Sequence, residues 1–409
     1  MFVWARCYSR TPVGTRRKLW WVAALYFAEG LPFGIVKDLL PVYFRVHGVS
    51  LKEIGALALL STPWSAKVFW SPLVDQLGQR RQWMAGALAV MAAALVTVGT
   101  LPPAPVGVVL VAALFAFTIA AATQDVAIDA YTIELLEPGE EGVANGVRVS
   151  AYRAALVVGG GVLLAMASSA GWPAVFATAA ALLLGLALAT PRLPPVAHRP
   201  TSPAAWARSF GTWITRPGAP ALFAFVFLYK LGDTAMGPMV RPFWVDRGLG
   251  LDEIAFVSTV VGVGASVAGA LVGGVLTSRW GIFRALWVLG LAQALSNLGY
   301  AAVAWTGAGR AGIYAASFTE SFTGGLGTAA FLAFLMNVCD KEHAATQYAL
   351  LSALFNLSGS LVGSFSGLGT ERLGYGTWFA VTFFLALPAY ALLPWVRRSI
   401  REAPAVTAP

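Results

Sequence analysis

Ionisable side chains stand inside long apolar stretches of this chain, and their spacing limits what they can do. Asp125 and Asp129 lie four apart, so any helix places both carboxylates on one face. Arg148 and Arg153 follow beyond a turn centred near Gly139. The first stretch carries Glu29, Lys37 and Asp38, the second Lys67, and later ones Lys230, Asp233 and Glu320. A charge near the middle of a bilayer costs at least about 2.5 to 3.5 kcal/mol, so each of these groups needs a partner or a task.

Folding the chain back about Gly139 puts Asp125 level with Arg153, each fourteen residues from the turn, and Asp129 level with Arg148 to within a residue. Two ion pairs, or one shared network, are therefore expected, with Lys67 a candidate third member. As chemistry this is a proton site: protonating Asp125 or Asp129 would release its arginine and bias a gate. A static network that fixes helix packing is the alternative. Glu29, just before Gly30-Leu31-Pro32, is expected to line a cavity opened by the proline break, with Lys37 and Asp38 further out contacting a solute's carboxylate and amine. Lys230 and Asp233, three apart, are expected to pair and to bind substrate. Glu320 is read as neutral or paired with a cation such as Lys230. Arg241 is read as snorkelling at an interface. Tyr152, Trp64 and Tyr229 are candidates for stacking on sugar rings.

The elements that must hold these groups are membrane helices. Apolar residues make up 58% of the 409 and charged residues only 11%, too few to cover a water-facing surface. Apolar runs of this length span a bilayer as helices and are too long for barrel strands. Spans are predicted near 18–46, 50–76, 82–100, 105–136, 142–168 and 172–190, then 218–246, 251–277, 282–305, 309–339, 344–370 and 374–396. The first is too long and too charged for a cleaved signal and is expected to remain as a spanning helix. The N-terminus, even-numbered loops and tail hold seventeen Lys and Arg against five in the odd-numbered loops. Both termini are therefore expected in the cytoplasm, and the net charge of +9 reflects that bias rather than nucleic-acid binding.

The halves repeat at an offset of about 200. Gly48-Val49-Ser50-Leu51-Lys52-Glu53-Ile54 returns as Gly248-Leu249-Gly250-Leu251-Asp252-Glu253-Ile254, and Leu25-Tyr26 as Leu228-Tyr229. The predicted organisation is a cytoplasmic segment 1–17, a six-helix bundle 18–190, a cytoplasmic linker 191–217, a second bundle 218–396 and a tail 397–409. This all-α membrane architecture of about twelve helices in two halves is that of the major facilitators. The loop Ser71-Pro72-Leu73-Val74-Asp75-Gln76-Leu77-Gly78-Gln79-Arg80-Arg81 resembles the signature of that superfamily. There Gly78 would make a tight turn, and Asp75 would accept from helix amides or from an arginine such as Arg80 or Arg81; these are gating parts.

Further segments resemble the AmpG-type muropeptide permeases: Gly30-Leu31-Pro32, the run Trp64 to Asp75, Gln124-Asp125-Val126-Ala127-Ile128-Asp129-Ala130 and Val149-Ser150-Ala151-Tyr152-Arg153. They cover most of the N-terminal half in the expected order. The resemblance implies proton-driven import of anhydromuropeptides across the bacterial inner membrane for cell-wall recycling. Acetyl-CoA transporters and some siderophore permeases share the branch, so another anionic solute stays open. The expected partners are a small-molecule solute, protons and membrane lipid, with no cofactor and a monomer as the default. A membrane-bound transferase is disfavoured because no His-rich cluster, nucleophile elbow or phosphate loop is present. A non-transporting sensor would be expected to lose the buried charges or to gain an output domain. Cys7 and Cys339 fall on the cytoplasmic side and His47, His198 and His343 in loops, so neither disulfide nor metal site is expected. The glycine runs, Gly159-Gly160-Gly161 among them, are expected to serve close helix packing.

Overall fold

The computed structural model describes residues 14–137, 140–196, 218–339 and 344–400, with the side chains of 75, 76, 141–143, 145, 344–346 and 349 excepted. Among these residues every regular element is helical. The helical rods are α1 (Thr15–Val46), α2 (51–76), α3 (Arg80–Thr100), α4 (Val108–Leu135), α5 (141–170) and α6 (Trp172–Ala189) in the first half. The second half holds α7 (Ala219–Asp246), α8 (Leu251–Trp280), α9 (Ile282–Thr306), α10 (Arg310–Val338), α11 (Ala344–Ser364) and α12 (Ser366–Val396). Nine described stretches are long and apolar enough to cross a membrane, one of them, Gly146–Arg192, holding most of α5 and all of α6. The rod α2 falls outside that set because Lys67 and a run of small polar residues dilute its middle. The linker from 197 to 217, the residues before 14, and His198 and His343 lie outside the described residues.

The repeat seen in the sequence is built into the backbone. Helix α1 ends in a turn where Gly48 takes φ +80°, with Gly48 N–H on Arg45 and Val49 N–H on Phe44. Helix α7 ends in the same turn, with Gly248 at φ +75° and the matching bonds to Val245 and Trp244. Only glycine holds that left-handed backbone without a Cβ clash. Within the second half, Gly374 (φ 76°) interrupts α12 and divides it into two helical pieces.

Both first helices of the halves are discontinuous. In α1 the chain passes Pro32 and widens into a π-helical stretch, Ile35–Leu39. In α7 the break falls at Lys230, whose dihedrals (φ −104°, ψ 11°) leave the helix with no proline at that point. Two further π stretches, Val158–Val162 in α5 and Val257–Val263 in α8, lie against each other, and the one in α5 lies against the first as well. Such wide turns expose carbonyls and re-aim side chains, which suits the walls of a polar cavity.

Close packing of α1 on α5 depends on glycine, as the sequence suggested. A Cβ on Gly159 would lie 2.9 Å from the Leu31 carbonyl oxygen, and one on Gly34 3.3 Å from the Gly159 Cα. Helix α5 thus lies on α1, and α1 on α4. This order matters for the charged groups, because α1 separates most of α4 from the helix that follows it in sequence.

Candidate functional site

Between the halves lies a cavity of about 380 Å³, walled by α1, α2, α5, α7, α8 and α10. The π stretch of α1 places Lys37 and Asp38 in its wall, α5 contributes Arg153, α7 Arg241 and α10 Glu320. Asp38 is already neutralised: an Arg241 Nη donates to its Oδ1 at 2.6 Å, and the guanidinium also stacks on Trp244 at 4.6 Å. Lys37 and Arg153 are exposed, and among the described residues neither is in an ion pair. Lys37 rests 5.8 Å over the Phe33 ring. The cavity therefore offers two open cations inside a low-dielectric wall, where attraction to an anion is far less screened than in water.

A second polar cluster sits inside the first half. Lys67 of α2 donates to Asp125 of α4 at 2.6 Å, and Arg148 of α5 donates to Asp129 at 3.1 Å. Tyr26 of α1 also donates to Asp129, at 2.7 Å, and the Arg148 guanidinium lies 4.3 Å over the Tyr26 ring. Glu29 belongs to this cluster rather than to the cavity wall; Asp125, Asp129 and Lys67 all act on it electrostatically. Tyr152 is turned the same way, tilted against Phe33 at 6.4 Å, and its backbone oxygen closes over Gly30.

The second half repeats the motif with different balance. Lys230 Nζ reaches Asp233 at 3.4 Å, Thr328 at 3.0 Å and the Gln293 carbonyl oxygen; the Gln293 amide donates in turn to Asp233. These groups line a smaller cavity of about 290 Å³ that shares Glu320 and Ser321 with the central one. Glu320 accepts from the Ser321 hydroxyl at 3.3 Å, and its expected pairing with Lys230 is not made.

The two halves are tied together at the end that carries the odd-numbered loops. Arg45 of α1 grips Asp246 of α7 with two parallel bonds, Nε to Oδ1 at 2.6 Å and Nη to Oδ2 at 2.7 Å. The Tyr375 hydroxyl adds a third bond to the same carboxylate at 2.7 Å. Ser168 donates to Asp252 at 2.7 Å and the Lys52 amide to Glu371 at 2.9 Å. At the opposite end, Gly78 makes the expected turn at φ +69°. Arg80, buried, donates to the Val74 carbonyl at 2.7 Å and pairs with Glu134 at 3.4 Å, while Arg81 donates to Gln79. The Asp75 side chain lies outside the described residues.

Several placements correct the sequence expectations. Asp125 pairs with Lys67 and not with Arg153, because α1 intervenes between the level of Asp125 and α5; only near the turn, at Asp129 and Arg148, do α4 and α5 come within reach. Arg241 does not snorkel to an interface but turns inward onto Asp38. Tyr229 is core, stacked on Phe331 at 5.1 Å with its hydroxyl on the Leu286 carbonyl, and Trp64 packs edge-on to Phe33. Sequence reading missed Gln293 and Thr328, neutral residues with no charge to flag them, and the Arg45–Asp246 pair, whose members lie about 200 residues apart.

A helical bundle in two related halves, with a charged cavity between them and an ion pair tying them at one end, has the form of a solute transporter. Residues 22–364 match the family model of the Major Facilitator Superfamily, and the chain belongs to that family, in its AmpG-type permease branch. It is 33% identical over 388 residues to the anhydromuropeptide permease of Escherichia coli K12, covering 92% of this chain and 79% of that one. A putative transporter of Rickettsia felis, AmpG 4, is 27% identical and covers 94% and 97%. The fold is similar to the crystal structure of a bacterial homologue of the lysosomal transporter Spinster, in an inward-facing, unoccupied conformation. That likeness has a TM-score of 0.76 at 15% identity, over 96% of this chain and 99% of that one. A D-xylose–proton symporter aligns with a TM-score of 0.74 at 10% identity, over 93% and 97%. The protein is thus a multi-pass transporter of the bacterial inner membrane.

Proposed function

We propose that this protein imports anhydromuropeptides into the cytoplasm, driven by protons, through alternating access of its two six-helix halves. The observation that carries the reading is the pair of open cations, Lys37 and Arg153, in the central cavity. A sugar-peptide carries carboxylates that such cations bind, and the permease activity named for the Escherichia coli relative agrees with it. In this reading the chain crosses the membrane twelve times with both termini in the cytoplasm, and the end closed by Arg45 and Asp246 faces outward. The inner end is the one with the loop from Gly78 to Arg81. The bundles run 18–190 and 218–396 and work as a monomer. The acid cluster around Asp125 and Asp129 takes the proton, and the cavity takes the solute. Lys230 and Asp233 form the opposite wall's support, with Glu320 between them and the solute.

The test is uptake of labelled GlcNAc-anhydromuramyl tripeptide into proteoliposomes with and without an inward proton gradient. Accumulation that needs the gradient, and that falls in Arg153→Met, supports the reading. Absence of uptake by folded protein refutes the muropeptide assignment. Uptake of acetyl-CoA or of a siderophore instead would keep an anionic-solute transporter and replace its substrate.

A further inference from the structure

The buried cluster of the first half holds more acid than base, and this imbalance singles out one side chain. Three carboxyl groups, Glu29, Asp125 and Asp129, share a cluster with two cations, Lys67 and Arg148. Both cations are committed, Lys67 to Asp125 at 2.6 Å and Arg148 to Asp129 at 3.1 Å. Glu29 is left over. Its Oε2 is buried and accepts no hydrogen bond among the described residues. The remaining neighbours do not supply a charge: Tyr26 donates to Asp129, Tyr152 is a neutral phenol beside Glu29 and Asp125, and Arg153 points to the cavity. In the second half Lys230 and Asp233 pair one to one with Gln293 bridging them, while Glu320 lines the same cavity and accepts from the Ser321 hydroxyl.

A buried carboxylate with no counter-ion is costly, whereas a neutral carboxylic acid costs far less. The cluster is therefore neutral only with one proton in it. We propose that Glu29 is the group that holds the coupling proton in this protein, taking it up and releasing it while Asp125 and Asp129 keep their cations. This deepens the proton-driven reading above and rests on it.

Position explains how the proton would be felt. Glu29 is two turns before Lys37 and Asp38 on the same helix, with Gly30 and Pro32 between and the two charged residues inside the π stretch Ile35–Leu39. When Glu29 gives up its proton, its new negative charge competes with Asp125 for Lys67, which pulls α1 toward α2. Movement of α1 reaches the cavity cation Lys37 and the Asp38–Arg241 bond between the halves. One charge change thus biases a two-state bundle.

The test uses the full chain and two readouts. In detergent-purified protein, infrared difference spectra between neutral and alkaline pH should show a protonated-carboxyl band that disappears, and that band should be missing in Glu29→Gln and shifted in Glu29→Asp. In proteoliposomes, the ratio of tripeptide uptake with an inward proton gradient to uptake without it should fall to about onefold in Glu29→Gln and stay above that in Glu29→Asp. A band that persists unchanged in Glu29→Gln overturns the proposal, as does a gradient ratio equal to that of the unmutated protein. If the unmutated protein takes up no tripeptide, the substrate reading fails and the infrared band alone decides the fate of Glu29.

Discussion

Removing Arg45 is the sharpest perturbation of the closure that the proposed orientation turns outward. The guanidinium makes two parallel bonds to Asp246 at 2.6 and 2.7 Å, with side chains 24% and 27% exposed. Hydrogen bonds to charged groups contribute about 1.5 to 3 kcal/mol when shielded, and exposed pairs about 0 to 1. Partial exposure puts this pair between, at about 1 to 2 kcal/mol, a factor of about 5 to 30 in the ratio of closed to open protein. The assay is labelling of Ser61→Cys, a cavity-wall position, in a background lacking Cys7 and Cys339, with a membrane-impermeant thiol reagent applied from the outside. Arg45→Ala should raise the labelling rate by about 5- to 30-fold. Exchanging the charges, Arg45→Asp with Asp246→Arg, should bring the rate most of the way back, since the pair is re-formed in the opposite sense. Unchanged labelling in Arg45→Ala, or an exchange variant as open as the single one, would refute the reasoning.

Three more outcomes follow from the described contacts. Lys37→Met and Arg153→Met should each raise the apparent KM for an anionic solute by about tenfold or more, about 1.4 kcal/mol, without lowering the amount of folded protein. Lys67→Met should cost about 3 kcal/mol or more in stability by stranding Asp125, and Asp125→Asn added to it should recover most of the loss; a double variant no better than the single would show that the pair is not coupled. The Glu140 carboxyl is held down to about 2, from an ordinary value of 4.5, first by the Glu137 amide, then by the Thr15 hydroxyl and by Lys18. Because the folded value is depressed, its contribution is complete above the ordinary value and is lost as the pH falls toward the folded one. The difference in Tm between the unmutated protein and Glu140→Gln should therefore shrink from pH 4.5 toward pH 2. A constant difference across that range would remove the ion pair from the account.

What the sequence disclosed follows from how local each signal is. Apolar run length, the Gly48 and Gly248 turns and the Lys230–Asp233 pair depend on residues near one another in the chain, and all are where spacing puts them. Counting outward from Gly139 found Asp129 with Arg148, because close to a turn the two helices have had no room to part. It failed for Asp125 and Arg153, since sequence neighbours at the turn need not be spatial neighbours about four helical turns away, and α1 fills the gap. Depth along a helix is legible, but facing is not: Arg241 stands where snorkelling was reasonable, and only packing shows it turned toward Asp38. The ties between halves, Arg45 with Asp246 among them, pair positions about 200 apart and leave no local trace. Glu29 was legible as a buried acid, but its lack of a cation becomes visible only after Lys67 and Arg148 have been given to others.

The wide turn in α1 also says something about the ancestry of the chain. Tyr26 precedes the Gly48 turn by 22 residues, whereas Tyr229 precedes the equivalent Gly248 turn by 19. After duplication, then, one copy lengthened or the other shrank, and the longer helix carries its π stretch inside that interval. A wide turn is a way for a helix to swallow an inserted residue without losing its start or its end. Lys37 and Asp38 lie in that stretch and, with Val36 and Pro41, form this helix's share of the cavity wall. Descent by duplication would in this way have left the two halves alike at their ends and free to differ where they meet the solute.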